Sequence, residues 1–307
     1  MHGHSRMQTP VSSSHSEYER GWRAAMAPQT GEIRRDLTAE AAEYLGISYE
    51  EAERRVESSG KDFPEEWQRL VTDANDPQQV VRFYNESETE LFEQIAWHSY
   101  DVIHHRSVVC TELVRSQAGG EFMDYGSGIG SNALIFGLAG FKVTLADVAD
   151  PLRNFARWRC ERRGIRVDTV DLKHETPDTG RYDVITCFDV LEHVPDPLRA
   201  LKLMRDALRA DGVLFVYAPV GHDPDRPMHI VHQDTALRKI RSLGFDRAYD
   251  WEAAFPDYLH HPKPPEAYRR VNRRAPANLA YYIRDVWMHG ELGEAVAKGL
   301  ARVRTGA

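Results

Sequence analysis

Residues 121–138 read EFMDYGSGIGSNALIFGL, and this run decides the fold. A short apolar stretch ends at Asp124, three glycines follow at alternate positions, Gly126, Gly128 and Gly130, and Ala133–Leu138 is apolar and long enough to open a helix. The predicted order is strand, glycine turn, helix. Glycine has no Cβ and tolerates positive φ, so a ligand can lie directly against the main chain of such a turn. The N–H groups that open the following helix are expected to add positive potential there.

Two ligand classes use this arrangement. The nicotinamide fingerprint G-x-G-x-x-G/A fails when read from Gly126, where Ser131 stands last, but is met from Gly128 by Gly130 and Ala133. Asp124 bears on the choice, because a carboxylate suits a cationic ligand and repels a pyrophosphate. The run D-x-G-x-G-x-G from Asp124 to Gly130 resembles the first motif of the class I S-adenosylmethionine-dependent methyltransferases. The resemblance implies that Asp124, with Gly126, Gly128 and Gly130, faces the amino group of the methionine moiety, largely through backbone and water.

Three later segments extend the comparison. FKVTLADVAD is an alternating strand ending at Asp147, followed by Val148. An acid there can accept both ribose hydroxyls in either kind of nucleotide site. In IRVDTVDLKHE, Asp171 closes a third strand; the resemblance implies that Asp171 and the N–H of Leu172 read the adenine edge. RYDVITCFDVLEHVPDPLRALKLM (181–204) is the most specific: its YDVI strand, its Cys187–Asp189 turn with Phe188, and its LEHVPDP segment resemble the fourth motif of small-molecule methyltransferases, particularly ubiquinone-biosynthesis O-methyltransferases. Phe188 joins the cofactor residues on that basis.

Strands are predicted near 121–125, 141–147, 165–170, 181–187 and 212–218, a further strand at FDRAYDW, and helices near 130–139, 150–163, 196–210 and 233–243. This alternation predicts an α/β fold with a doubly wound, mostly parallel sheet and right-handed crossovers; the resemblance makes it a seven-stranded Rossmann-like methyltransferase sheet with an N-terminal helical lid. Ligands bind such sheets at the carboxyl ends of the strands, where Asp124, Asp147, Asp171 and the Cys187–Asp189 turn all fall.

Around this core (116–250), residues 1–31, rich in Ser, His, Pro and Gln, are expected to be a poorly ordered, solvated tail that includes His2, His4 and His15. Residues 32–115 read as a helical region. Leu37, Ala41, Ala42 and Leu45 have helical spacing, Gly46 can close that helix, and Ser48 with Glu51 can cap a second one. AAEYLGIS resembles a DNA-binding helix-turn-helix, but the would-be recognition helix YEEAERRV is acidic where phosphate contact asks for Lys or Arg, so a cap on the catalytic domain is preferred. The aromatic stretch FYNE and AWHSYD nominates Tyr84, Trp97 and His98 as substrate contacts, His98 by its helical phase with Leu91, Ile95 and Val102. Residues 251–307 should complete or cover the core, or form an oligomer contact.

The net charge of −8 offers no overall basic surface, so nucleic acid is not expected as a partner and a small-molecule substrate is. Cys110, Cys160 and Cys187 are widely spaced and read as reduced thiols, which suits the cytoplasm; no run of the sequence has the apolar length of a membrane span.

Methyl transfer from a sulfonium is an in-line displacement that asks for alignment, exclusion of water and removal of one proton. His193 is the leading candidate for the proton, with His98 and His229 as further catalytic candidates. If DVLEH forms a helical turn, Asp189, Glu192 and His193 share one face and could hold Mg²⁺ or Mn²⁺, aided by one of His222, His229 and His232. A metal-assisted RNA 2′-O-methyltransferase, a nicotinamide-dependent reductase and a non-catalytic nucleoside-binding module are the competing readings.

Overall fold

The computed structural model describes residues 15–99, 106–218, 225–230, 239–248 and 265–270. The expected strand continuation past Ala248, most of the helix placed near 233–243, His222, His232 and nearly all of 251–307 lie outside these residues. Among them the helices are α1 (His15–Met26), α2 (Ile33–Leu45), α3 (Tyr49–Leu70), α4 (Pro77–Glu86), α5 (Glu90–His98), α6 (Arg106–Leu113), α7 (Ser131–Leu138), α8 (Asp150–Arg162) and α9 (Pro197–Ala207). The strands are β1 (Glu121–Tyr125), β2 (Lys142–Asp147), β3 (Val167–Asp171), β4 (Tyr182–Phe188), β5 (Leu208–Tyr217), β6 (Phe245–Arg247) and β7 (Glu266–Arg270).

They form one seven-stranded sheet in the order β3-β2-β1-β4-β5-β7-β6. The first five strands are parallel to one another, and β7 runs antiparallel to both β5 and β6. The chain reverses its direction of travel between β1 and β4, which opens the crevice at their carboxyl ends. β7 comes from the final segment of the chain and lies between β5 and β6, with Ala267 and Tyr268 buried.

Alternation along β1 sends Phe122 to one face and Met123 and Tyr125 to the other. Phe122 stacks on Phe136 of α7 with ring centroids 3.9 Å apart, in a core that also receives α1, α2, α6 and α8. Met123 and Tyr125 join Leu201 and Met204 of α9. A third cluster belongs to the helical cap, where Phe63 and Trp67 of α3 pack on Val80 and Phe83 of α4 and on Met228.

The expectation of a poorly ordered stretch up to residue 31 is corrected from residue 15 onward. Trp22, Ala25, Met26 and Ala27 are buried, and α1 packs against α6 and α7. The turn after it is held by buried Asp36, which accepts from the N–H of Gln29 and Thr30 at 2.8 and 3.1 Å. Overall composition masked an apolar face confined to a single helix. Local signals served better at the next turn: Gly46 closes α2 at φ 67°, and the Ser48 hydroxyl accepts from Glu51 N at 3.1 Å to open α3.

Arg159 on α8 is fully buried. Its Nε donates to Glu40 of α2 at 2.7 Å and its Nη1 to the carbonyl of Ile129 in the glycine turn at 2.6 Å; Arg163 also pairs with Glu40, at 2.5 Å. Removing one partner from a buried ion pair leaves an uncompensated charge. Arg159→Leu is expected to cost roughly 3–5 kcal/mol in urea unfolding, and a loss under 1 kcal/mol would show that the pair is dispensable.

Candidate active site

A cavity of about 540 Å³ opens at the carboxyl edge of the sheet, beneath the helical cap. Its floor is the glycine turn. Gly128 has φ 47°, which favours glycine, and a Cβ there would also push against the Gln94 amide on α5. Gly126 lines the cavity; Gly130 does not, and serves instead the close packing of α7 on Ala156 of α8.

The turn's own amides are directed into the protein. Gly126 and Ser127 donate to the Ala146 carbonyl at 2.7 and 3.2 Å, and Gly130 donates to Ser127 O at 2.8 Å. Gly128 N donates to Asp147 Oδ2 at 2.8 Å, and Ile129 N to Gln94 Oε1 at 3.0 Å. All five N–H groups from Gly126 to Gly130 are therefore used within the protein. These five amides offer no cradle to a pyrophosphate, and the N–H groups at the start of α7 are a separate set.

Asp124 is fully buried beneath the turn and does not line the cavity. Its Oδ1 accepts from Thr186 Oγ1 at 2.8 Å and from Asn132 Nδ2 at 3.0 Å, while Oδ2 has no partner. Burial raises its pKa to about 7 against the lowering effect of those bonds. It reaches the cavity through Asn132, which lines it.

Asp147 lines the cavity. Its Oδ1 accepts from Ala149 N at 2.9 Å, and burial raises its pKa. Val148 and Leu172 also line the cavity, as does Phe188. The expected adenine reading is corrected in part, because Leu172 N donates to the Asp147 carbonyl at 3.1 Å. The Asp171 carboxylate points to Lys173 and Arg153, at 3.3 and 3.6 Å, and is not part of the cavity lining.

The roof comes from α4 and α5. Asn85 of α4 donates to the Val148 carbonyl at 2.9 Å and accepts from Asp150 N at 3.1 Å, tying the cap to the loop after β2. Its neighbour Tyr84 lies 3.0 Å from His193 Nδ1. On α5, Glu90, Gln94, Trp97 and His98 all line the cavity. His98 Nδ1 lies 2.7 Å from Ser131 Oγ at the start of α7, so this histidine sits over the glycine turn. The Trp97 ring has the Arg226 guanidinium 4.7 Å from its centroid.

The far wall follows β4. Asp189 has φ 54°, a left-handed conformation, so DVLEH does not begin a helical turn there and the expected single face for Asp189, Glu192 and His193 is corrected. The Asp189 carboxylate instead pairs with Arg106 at 3.4 Å, whose guanidinium lies 3.4 Å from the centroid of the Tyr217 ring. Ile230 N donates to the Glu192 carbonyl at 2.6 Å, which fastens residues 225–230 against this turn. The result brings one oxygen of Glu192 and one nitrogen each of His193 and His229 within 4.8 Å of one another. Glu192 is 1% exposed and neither carboxylate oxygen has a partner; burial first, and then the Asp189 charge, push its pKa far up. Burial, His229 and Arg226 together push His193 down to about 3, so its imidazole is neutral at ordinary pH. An orphaned buried carboxylate facing two imidazoles fits a divalent cation, and two nitrogens with one carboxylate suit Mn²⁺ better than Mg²⁺.

Residue-type reasoning missed Glu90, Gln94, Arg106 and Arg226, and it singled out the FYNE segment without naming its Asn85. For the first two a signal existed: positions 90, 94, 97 and 98 share one helical face, a polar face passed over in favour of the apolar one.

With this geometry in view, the relatives can be placed. Residues 102–275, over half of the chain, match a methyltransferase domain family, and the chain belongs to that family. It is 31% identical over 148 residues to the ubiquinone biosynthesis O-methyltransferase of Actinobacillus pleuropneumoniae serotype 7 (strain AP76), covering 43% of this chain and 63% of that protein. The enzyme of the same name from Xanthomonas euvesicatoria pv. vesicatoria (strain 85-10) is 31% identical over 147 residues, covering 43% of this chain and 61% of the relative. The chain thus spans less than two thirds of the length of these relatives. Among solved structures, the 1,6-didemethyltoxoflavin-N1-methyltransferase of Burkholderia thailandensis, with 1,6-didemethyltoxoflavin and S-adenosylhomocysteine bound, matches at TM-score 0.45 and 17% identity over 68% of this chain and 91% of that one. Among the described residues no helix is long and apolar enough to cross a membrane.

The Asp124 environment predicts a pH dependence. Its folded pKa of about 7 lies above its ordinary 3.8, so the stability it contributes is present in acid and is lost as the pH rises through that window. Unfolding free energies measured from pH 4 to 7 should fall less steeply in Asp124→Asn than in the wild type, by about one proton; parallel curves would contradict this assignment.

Proposed function

We propose that the protein transfers a methyl group from S-adenosylmethionine to an oxygen, nitrogen or carbon atom of a small organic substrate, oxygen being favoured by the names of its relatives. The observation that carries this reading is the glycine turn, whose five N–H groups are internally satisfied and which is bordered by Asp124 and Asp147. Such a site suits a sulfonium nucleoside bearing an ammonium group and opposes a dinucleotide. The helical roof and a volume of about 540 Å³ suit a small molecule.

In the reaction the substrate oxygen attacks the methyl carbon, the carbon–sulfur bond breaks, and its electron pair returns to sulfur. The hydroxyl proton passes to an imidazole of the His193/His229 pair, whose ring centroids are 4.9 Å apart. Neutral His193 holds a lone pair to receive it, Tyr84 orients that ring, and the cap excludes water. Trp97 and Tyr84 provide the substrate wall, while His98, bonded to Ser131, serves the cofactor end. Where Glu192, His193 and His229 instead hold Mn²⁺, both imidazole lone pairs are taken up, and the ion when bound would supply the polarisation of a substrate hydroxyl in place of the histidine base.

Calorimetry should show wild-type protein binding S-adenosylmethionine and S-adenosylhomocysteine but not NAD(H); the reverse would overturn the reading. His193→Ala and His229→Ala should lower kcat about 10²- to 10⁴-fold with unchanged affinity for S-adenosylhomocysteine, and a loss confined to that affinity would move these residues to cofactor binding. Equilibrium dialysis should find Mn²⁺ on the wild type and not on Glu192→Gln, and equal retention by both would remove the metal.

A further inference from the structure

Glu90 opens α5 and is only 7% exposed, yet its Oε2 has no hydrogen-bond partner. Its position is well defined. On α3, buried Glu66 accepts from Ser87 Oγ at 2.6 Å and from Glu88 N at 3.2 Å, which fixes the turn leading into α5. Glu90 Oε1 accepts from Gln94 Nε2 at 3.1 Å, and Gln94 Oε1 in turn accepts from Ile129 N at 3.0 Å. The carboxylate is thereby seated against the glycine turn on the cavity side, where Asp147 is held from below by Gly128 N. Burial first, and the Asp147 charge second, raise the Glu90 pKa, consistent with two carboxyl groups facing one small space.

A buried acceptor without a donor is a cost that the fold would shed unless a ligand satisfies it. The neighbouring acid is already committed: both Asp147 oxygens accept backbone N–H groups, from Gly128 and Ala149. Each oxygen keeps a second lone pair, but Asp147 must also hold the loop that it caps. The open acceptor beside it is Glu90. On the donor proposed above, the groups that reach this end of the cavity are the two ribose hydroxyls.

We infer that Glu90, on the lid helix and outside the matched methyltransferase domain, is a cofactor-binding residue that accepts one ribose hydroxyl of the S-adenosyl donor while Asp147 accepts the other. The lid then completes the nucleoside site, and substrate roof and cofactor share one helix.

The test is calorimetry of S-adenosylhomocysteine and its 2′-deoxy and 3′-deoxy analogues on full-length wild type, Glu90→Gln and Glu90→Leu, with thermal melts of each unliganded protein. Wild type should bind the parent compound and disfavour both deoxy analogues about 10- to 100-fold. Glu90→Leu should lose a similar factor for the parent and no longer discriminate against one of the two analogues, while keeping its discrimination against the other, whose missing hydroxyl faces Asp147. Its unliganded melting temperature should equal or exceed that of the wild type, since an unpaired buried acceptor has gone; a purely structural role would lower it. If Glu90→Leu fails to fold, Glu90→Gln, which has the same shape, carries the comparison. Wild-type binding with undiminished affinity and discrimination in the variants overturns the role of Glu90 alone. Failure of the wild type to bind S-adenosylhomocysteine overturns both this role and the donor assignment.

Discussion

The site depends on a guanidinium that never meets solvent. Arg159 donates to Glu40 on one side and to the Ile129 carbonyl on the other, so the helix that carries it bolts the N-terminal helices to the backbone of the glycine turn. Burying such a group is tolerable only when its charge and its N–H groups are answered, and that requirement fixes where the helical region can sit. With α2 anchored, α3 and α5 follow through their mutual packing. The side chains of α5 come down on the turn from above, and a cavity is left between turn and roof.

The chemistry of that cavity follows from which polar groups are satisfied by the protein and which are not. The amides of the glycine turn have internal acceptors. By contrast, among the lining groups one oxygen of Glu90, both of Glu192 and the Ser127 hydroxyl lack partners. The deficit is thus mainly of donors and positive charge, met at the Asp189 wall by Arg106. A ligand with a sulfonium, an ammonium and two hydroxyls supplies what is missing; one bearing phosphates does not.

The two ends of the cavity are coupled by the cap. Tyr84 and Asn85 are adjacent on α4, one beside His193 and the other on the loop after β2. A shift of this helix would therefore disturb the loop after β2 and the histidine pair together, and the proposed transfer depends on just that alignment.

The order of strands and helices, the glycine turn, the acid at the end of β2 and the turn after β4 were legible in the chain, because each is a local pattern: period two, period 3.6, a run of glycines, an acid at a strand end. The helix at residues 15–26 was not, since its apolar face is short and the composition around it is polar. Which histidine meets His193 was equally hidden. Among the described residues it is His229, held there by a backbone bond between Ile230 and Glu192, while the left-handed backbone of Asp189 and its pairing with Arg106 withdraw that acid. Local sequence thus settles which elements form and which acids end the strands, because those are properties of short segments. Which acids stay unpaired and which imidazoles meet is settled by long-range packing, because a hydrogen bond between residues far apart in the chain leaves no periodic trace.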